Sequence, residues 1–387
     1  MTLKKSDRIG FDRILLRTEI VISVVYFLIL PLRNISYRHV IVFLGSVGFY
    51  FIAFNKIAVS RIRIIDLFCL FFIILCIVLG LCLSIPDLSM ELVYSALNFL
   101  TFILILTTNT QPLIDEKTEK WINSAIIIIG ISLVYNFYSP AAYLFEDGRS
   151  TGALVLGMTN PNFAGIMLFA VYVLAVLAFR EKRFKGVWLL LSAVMLYFMI
   201  LTRARSSLIA ALFFSVYAVF FSNKRIPNWI VCMMIIIPIL AVPAYLYLYS
   251  SQTGNFILLG KRFFSGREKM YYEFLHMLSS GYQFVIGNYK DVHLANAHNA
   301  ALSIFCSIGS VGALSTYICF IRKMLLLNSK RMTDTGRVAL AAILSFFIQS
   351  SAEALMFTGY FIATFFLYLF LLIISKNTVS VEAQKAV

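Results

Sequence analysis

The sequence predicts an all-α polytopic membrane protein of about 12 transmembrane helices, with both termini cytoplasmic and one long outer-face loop carrying an amphipathic helix. Three observations predict it. Hydrophobic residues make up 61% of the 387-residue chain and charged residues only 13%, against about half and about a quarter in a soluble globular protein. The apolar residues gather into runs of roughly 17–23, the length that carries a helix across a hydrocarbon core. The basic residues are shared unevenly between alternate loops.

The runs fall near 15–32, 39–55, 64–84, 91–108, 120–138, 162–179, 186–202, 206–222, 228–249, 299–320, 338–355 and 358–375. Residues 1–387 therefore form a single integral membrane domain, and 250–297 is a long loop within it. The first run follows a short charged segment and lacks a small-x-small cleavage pattern, so it is expected to be a retained helix and not a signal peptide. All six cysteines (69, 76, 82, 232, 306 and 319) lie inside the runs. That placement excludes a disulfide framework or a metal-type spacing and predicts buried, inert thiols.

Orientation follows from the Lys and Arg residues, which concentrate in cytoplasmic loops. With the N-terminus inside, the inside segments hold 23 of the 33 basic residues and the outside segments ten. Most of the net charge of +15 is thus topological and is no argument for nucleic acid. The ten exceptions carry more information. Arg203 and Arg205 share one very short turn, Arg149 lies in the loop 139–159, and five more basic residues lie in 250–297.

In "LTRARSS" (201–207), Ser206 or Ser207 can cap the next helix. Free backbone N–H groups beside guanidinium forks make an anion site; the alternative is two arginines snorkelling to headgroups. In "EDGRSTGALVLGMTNPNFAG" (146–165), Asn160 suits an N-cap and Pro161 the first helical turn, which leaves Arg149 unexplained. In "SGREKMYYEFLHML" (265–278), Ser265 and Glu268 form a capping-box pattern, the apolar residues recur at helical spacing, and Gly281 reads as a stop. The product is an amphipathic helix on the outer surface. Arg267 falls in its first turn, where the helix dipole disfavours a cation; an external anion, Glu268 or solvent would offset that. In "ANAHNAALSIFCSIGSVGAL" (295–314), His298 and Asn299 open the tenth run, and Gly309 and Gly312 thin it for close packing. Glu353, in "SSAEALMF", lies near the outer end of the eleventh run and is a functional candidate because it is ionisable at membrane depth. A lone histidine at a helix start is ordinarily structural. Here the arginines, His298 and Glu353 all fall on one side of the membrane, which favours a site.

The ordered set "RSTG…NPN", "LTRARSS", a long outer loop with "SGR" and "GN", and "AHNAAL…GSVG" resembles the O-antigen ligase and O-antigen polymerase superfamily. The likeness covers roughly residues 145–320; the first 140 match only in hydropathy. Its members are multi-helix enzymes that handle polyprenyl-diphosphate-linked glycans on the outer, periplasmic face of the bacterial inner membrane. The resemblance implies that Arg205, with Arg203, Arg149 and Arg267 in support, binds the diphosphate, and that His298 and Asn299 occupy the positions of the family's His-Asn pair. The family's turn often has Ser or Thr before its arginine, where this chain has Ala204.

The expected function is that of a metal-independent glycosyltransferase acting as a surface-polysaccharide polymerase of lipopolysaccharide biosynthesis. It would move a glycan from its polyprenyl (undecaprenyl) diphosphate to a hydroxyl of a lipid-linked repeat unit. Fixed arginines would stabilise the leaving diphosphate. His298 would serve as base or acceptor-orienting group, Asn299 would orient it, and Glu353 would position His298 or bind sugar. The outer face has no acidic cluster, which argues against a divalent metal; no cofactor is expected. Expected partners are the lipid-linked oligosaccharide, membrane lipid and a candidate chain-length regulator protein, with no nucleic acid. The nearest rival is an O-antigen ligase, which moves the finished glycan onto lipid A–core. A rival of another class is an oligosaccharide-lipid transporter, which would place polar residues near the midplane at broken helices.

Overall fold

The computed structural model describes residues 5–32, 35–59, 62–83, 89–108, 113–146, 149–158, 160–181, 185–251, 257–258, 261–262, 267–276, 278, 281–288 and 297–378. Five helices come first: α1 (Lys5–Ile29), α2 (Ile35–Val59), α3 (Ile64–Leu83), α4 (Met90–Thr107) and α5 (Glu116–Phe137). An antiparallel hairpin of β1 (Tyr143–Glu146) and β2 (Arg149–Leu154) follows. Then come α6 (Pro161–Glu181), α7 (Lys185–Thr202), α8 (Arg205–Val216, continued by a π-helical turn to Phe221) and α9 (Asn228–Ser250). The long loop holds a two-residue ladder of β3 (Ile257–Leu258) and β4 (Lys261–Arg262), then α10 (Arg267–His276) and α11 (Gly281–Ile286). The chain closes with α12 (Ala300–Ser329), α13 (Asp334–Ser350) and α14 (Phe361–Lys376).

This is an all-α polytopic membrane protein. Among the described residues, nine helices are long and apolar enough to cross a bilayer. Each of the three remaining apolar runs also folds as a helix, but a shorter one: α8 with its π turn (Arg205–Phe221), α13 and α14. Apolar run length overstates the helix where the chain turns inward. α13 stops at Ser350 because the next residues bend into the bundle, where Glu353 and Ala354 are buried.

Burial separates centre from rim. Of the apolar window of α6, 83% is buried, against 22% for α9. α6, α13 and α14 form the centre, and nearly every residue of α14 is covered. The rim helices expose large apolar side chains such as Phe68, Phe71, Leu190 and Trp229, a surface suited to lipid. Four cysteines are buried as expected, whereas Cys82 is exposed and Cys232 partly so. Both lie on rim helices, so an apolar run does not by itself bury a thiol inside protein.

The connections gather at two ends. At the first, Asp115 caps α5 by accepting from the Thr118 N–H (2.7 Å) and pairs with Arg17 (3.1 Å) and Arg13 (3.5 Å). Burial opposes its ionisation, but the Thr118 hydrogen bonds and the two arginines win, and its pKa drops to about 2. At the same end Arg322 pairs with Asp66 (3.0 Å), Lys323 donates to the Thr108 carbonyl (2.8 Å), and Lys376 pairs with Glu119 (2.8 Å). The β1–β2 hairpin, the turn before α8, α10, α11, the start of α12 and the segment 351–360 occupy the other end.

α12 is broken. Gly309 has φ 66° and ψ −175°, which interrupts the helical backbone. A Cβ there would collide with the Val285 carbonyl, and one at Gly287 (φ 86°) with that of Ser307. These two left-handed glycines let α11 dock onto the break, and the Asn288 N–H donates to the freed Cys306 carbonyl (2.7 Å). The expectation that Gly309 simply thins a continuous helix is corrected. The same contact shows that Gly281 opens α11 in addition to following α10.

Candidate functional site

The site is built outward from the start of α12. Asn299 is its N-cap: the side-chain oxygen accepts from the Leu302 N–H (2.9 Å), one of the orphan donors of a helix start. Its Nδ2 donates to the carbonyls of Pro238 and Ser351, each at 3.0 Å. Pro238 and Pro243 both lie inside α9, and one buried amide ties α9 to α12 and to the segment after α13. Asn299 is fully buried and spends both ends of its amide on backbone. It is expected among the site residues as the group that orients His298, and its amide holds the backbone beside His298.

His298 carries φ 47°, a left-handed conformation that non-glycine residues adopt at a cost. Its Nδ1 lies 3.0 and 3.2 Å from the two carboxylate oxygens of Glu353. Arg267 donates from Nη2 to the same Oε1 at 3.0 Å. Exposure is graded along this chain: 4% for the Glu353 side chain, 13% for Arg267 and 32% for His298. A carboxylate only accepts hydrogen bonds, so the proton of a neutral imidazole resides on Nδ1, and Nε2 carries the basic lone pair. Imidazole, carboxylate and guanidinium form one connected chain, with the imidazole as its most accessible member.

Tyr271 completes the support. Its hydroxyl donates to the carbonyls of His298 and Ser351, each at 3.2 Å, and its ring packs against Tyr245 at 4.8 Å. Burial is the main reason its phenol is held well above the usual tyrosine range, so it stays a donor. The helical spacing had marked position 271 only as part of an apolar face; a fully buried tyrosine needs a hydrogen-bond partner, and that is the signal that points further.

The arginines arrive from two other elements. Arg205 opens α8, and the charge of Arg267 acts on it. Arg203 sits at φ 56° in the turn before α8. Its Nη2 lies 3.5 Å from where a Cβ on Gly152 would be, so the guanidinium lies against β2. Arg149 starts that strand; its side chain lies outside the described residues, as do Ser265 and the side chain of Glu268. Three non-glycine residues among those described have positive φ: Arg203, His298 and Leu156, the last in the loop after β2. All three lie at this end, and strain that persists in a packed structure is a mark of functional sites.

Two further expectations change. Neither Ser206 nor Ser207 caps α8. The N-cap is Ala204, without a side-chain hydrogen bond, and Ser207 is buried and accepts from Gln349 Nε2 (2.6 Å). Glu353 counters the charge of Arg267 at 3.0 Å. The capping reading of Asn160 stands: its Oδ1 accepts from the Asn162 N–H (2.7 Å), with Pro161 opening α6.

Beside the polar site, α9, α10 and α12 enclose an apolar groove of about 310 Å³, lined by Val242, Pro243, Leu275, Leu302, Phe305 and Tyr317 among others. Leu302, whose N–H Asn299 caps, lies on its wall. Charged arginines, an accessible imidazole and an apolar groove thus adjoin at one end of the bundle, an arrangement able to hold an anionic head joined to a hydrocarbon chain. Comparison of the chain with models of protein families, with curated proteins and with solved structures finds no match in any of the three.

Proposed function

We propose that the protein is a bacterial surface-polysaccharide polymerase of the O-antigen type, a metal-independent glycosyltransferase of the inner membrane. In this reading all twelve apolar helices span the bilayer, both termini are cytoplasmic, and the His298–Glu353–Arg267 end faces the periplasm. The observation that carries it is the His298–Glu353–Arg267 cluster beside an apolar groove of about 310 Å³.

Each group then has a role. The groove takes a short segment of the polyprenyl chain of the donor. Arg205, Arg203 and Arg149 hold the diphosphate. His298 Nε2 accepts the proton of the acceptor sugar hydroxyl as that oxygen bonds to the anomeric carbon of the donor glycan. The bond from that carbon to the phosphate oxygen breaks, and the lipid diphosphate leaves with the electron pair, stabilised by guanidinium groups in a water-poor site. Glu353 keeps the imidazole in the productive tautomer and balances the imidazolium. A chain-length regulator protein is the expected partner.

Gel analysis of lipopolysaccharide after deletion of the gene tests this reading. A polymerase leaves lipid A–core bearing a single repeat. A bare core with polymer accumulating on the carrier lipid would instead identify a ligase, and loss of all lipid-linked repeats from the outer face would identify a transporter.

A further inference from the structure

The interior of α1 holds a carboxyl group that the site above does not use. Glu19 lies within the apolar span Ile9–Leu32 and is fully buried, and neither of its oxygens has a hydrogen-bond partner among the described residues. The carboxyl occupies a notch left by Gly48 of α2, where any Cβ would overlap Oε1.

Glu19 belongs to a column of oxygen groups. Asp12, Glu19, Ser23 and Tyr26 follow one another at intervals that return to one face of α1. At 1.5 Å per residue the column covers about 21 Å, some two-thirds of a hydrocarbon core of about 30 Å. Tyr360, the N-cap of α14, and Thr364 and Tyr368 within it recur every fourth residue and meet the column. The hydroxyls of Tyr26 and Tyr360 are 3.3 Å apart, and the charges of Asp12 and Glu19 both act on the Tyr368 hydroxyl. The Ser23 and Thr364 hydroxyls are buried without a hydrogen-bond partner. At the first end Asp12 accepts from Asn55 Nδ2 (3.1 Å).

Among the described residues, the groups shown to face Glu19 carry no positive charge. They are Asp12 on its own helix, Tyr368 on α14 and Gly48 on α2, while Arg13 and Arg17 are engaged with Asp115 towards α5. An ionised carboxylate without a cation at this depth is far costlier than one that has taken up a proton.

We propose that Glu19 is a proton-binding site at mid-membrane depth, reached from the Asp12 end past the Tyr368 hydroxyl. The inference is independent of the glycan-transfer reading and would stand if that reading failed.

The test is reaction of the purified full-length protein, in lipid nanodiscs, with a hydrophobic carbodiimide. The protonated carboxyl adds its O–H across a C=N bond of the reagent, and the O-acylisourea formed rearranges to a stable N-acylurea that peptide mass spectrometry detects. The expected result is an adduct on Glu19 whose yield falls about tenfold per pH unit above the group's own pKa. The yield is the same in sodium and choline chloride, and E19Q abolishes it at that position. A Glu19 left unmodified at every pH overturns the proposal. Protection by sodium also overturns it, because a metal cation would then occupy the notch.

Discussion

His298 holds a left-handed backbone while its ring is tied to a carboxylate that an arginine also grips. Neither contact is needed to start a helix, since Asn299 already caps α12. The pairing sets which ring nitrogen is basic, and E353Q should break that setting while preserving shape: a Gln amide can donate to Nδ1 and so permit the tautomer with its proton on Nε2. Chain-growth kinetics on E353Q should show kcat lowered by about 10²–10⁴ with KM little changed and protein yield unaltered; an unchanged kcat would remove Glu353 from the mechanism. Arg203 gives a second residue-scale prediction. R203A keeps the strained backbone and loses the guanidinium, whereas R203G loses both, so R203G should be more stable than R203A by about 1 kcal/mol in thermal unfolding. Both should transfer glycan poorly. The residues themselves were legible in the sequence because polar groups are rare in this chain and stand out at helix ends. Their partners were not: Glu353 is 55 residues from His298 and 86 from Arg267, and no local pattern encodes those pairings. Glu19 went unremarked because it lies inside an apolar run, where run length outweighs a single charge.

At the scale of elements, helix existence followed from apolar runs, while helix interruption did not. The break in α12 needs Gly309 at φ 66° against the backbone of α11, a tertiary requirement invisible to periodicity. The β1–β2 hairpin likewise read only as a glycine-bearing loop. Element ends were better marked, as Asn160 before Pro161 and Asp115 before α5 illustrate. Asp115 supports a pH prediction. Its pKa is about 2 when folded and about 3.9 when unfolded, so its contribution to stability is present above pH ~3.9 and is lost as the pH falls towards 2. D115N, which keeps an N-cap but loses the charge, should destabilise the protein by about 1 kcal/mol or less at neutral pH. Thermal unfolding should show the two proteins converging as the pH drops to about 2; a difference independent of pH would contradict the assignment.

For the whole molecule, the decisive fact is segregation. Arg13, Arg17, Arg322, Lys323 and Lys376 make their contacts at one end, and the strained and paired site residues collect at the other. The alternation of basic loops was readable directly from the sequence, and it placed Arg203, Arg205, Arg267, His298 and Glu353 together before any contact was known. What the alternation could not supply was the apolar groove between α9, α10 and α12, whose walls come from elements far apart in sequence. The proposed orientation predicts that Tyr282→Cys, at an exposed position of α11, reacts with an impermeant thiol reagent in cells whose outer membrane has been permeabilised. Protection there, with reaction only after the inner membrane is opened, would reverse the orientation.

The central claim is that the imidazole of His298 serves glycan transfer at this end of the bundle. Its most direct test is incubation of purified protein in lipid with diphosphate-linked repeat units, followed by size separation of the products. The account predicts a ladder of lengthening glycans from the natural protein and none from H298A at equal yield. A ladder of unchanged length and rate from H298A would contradict it.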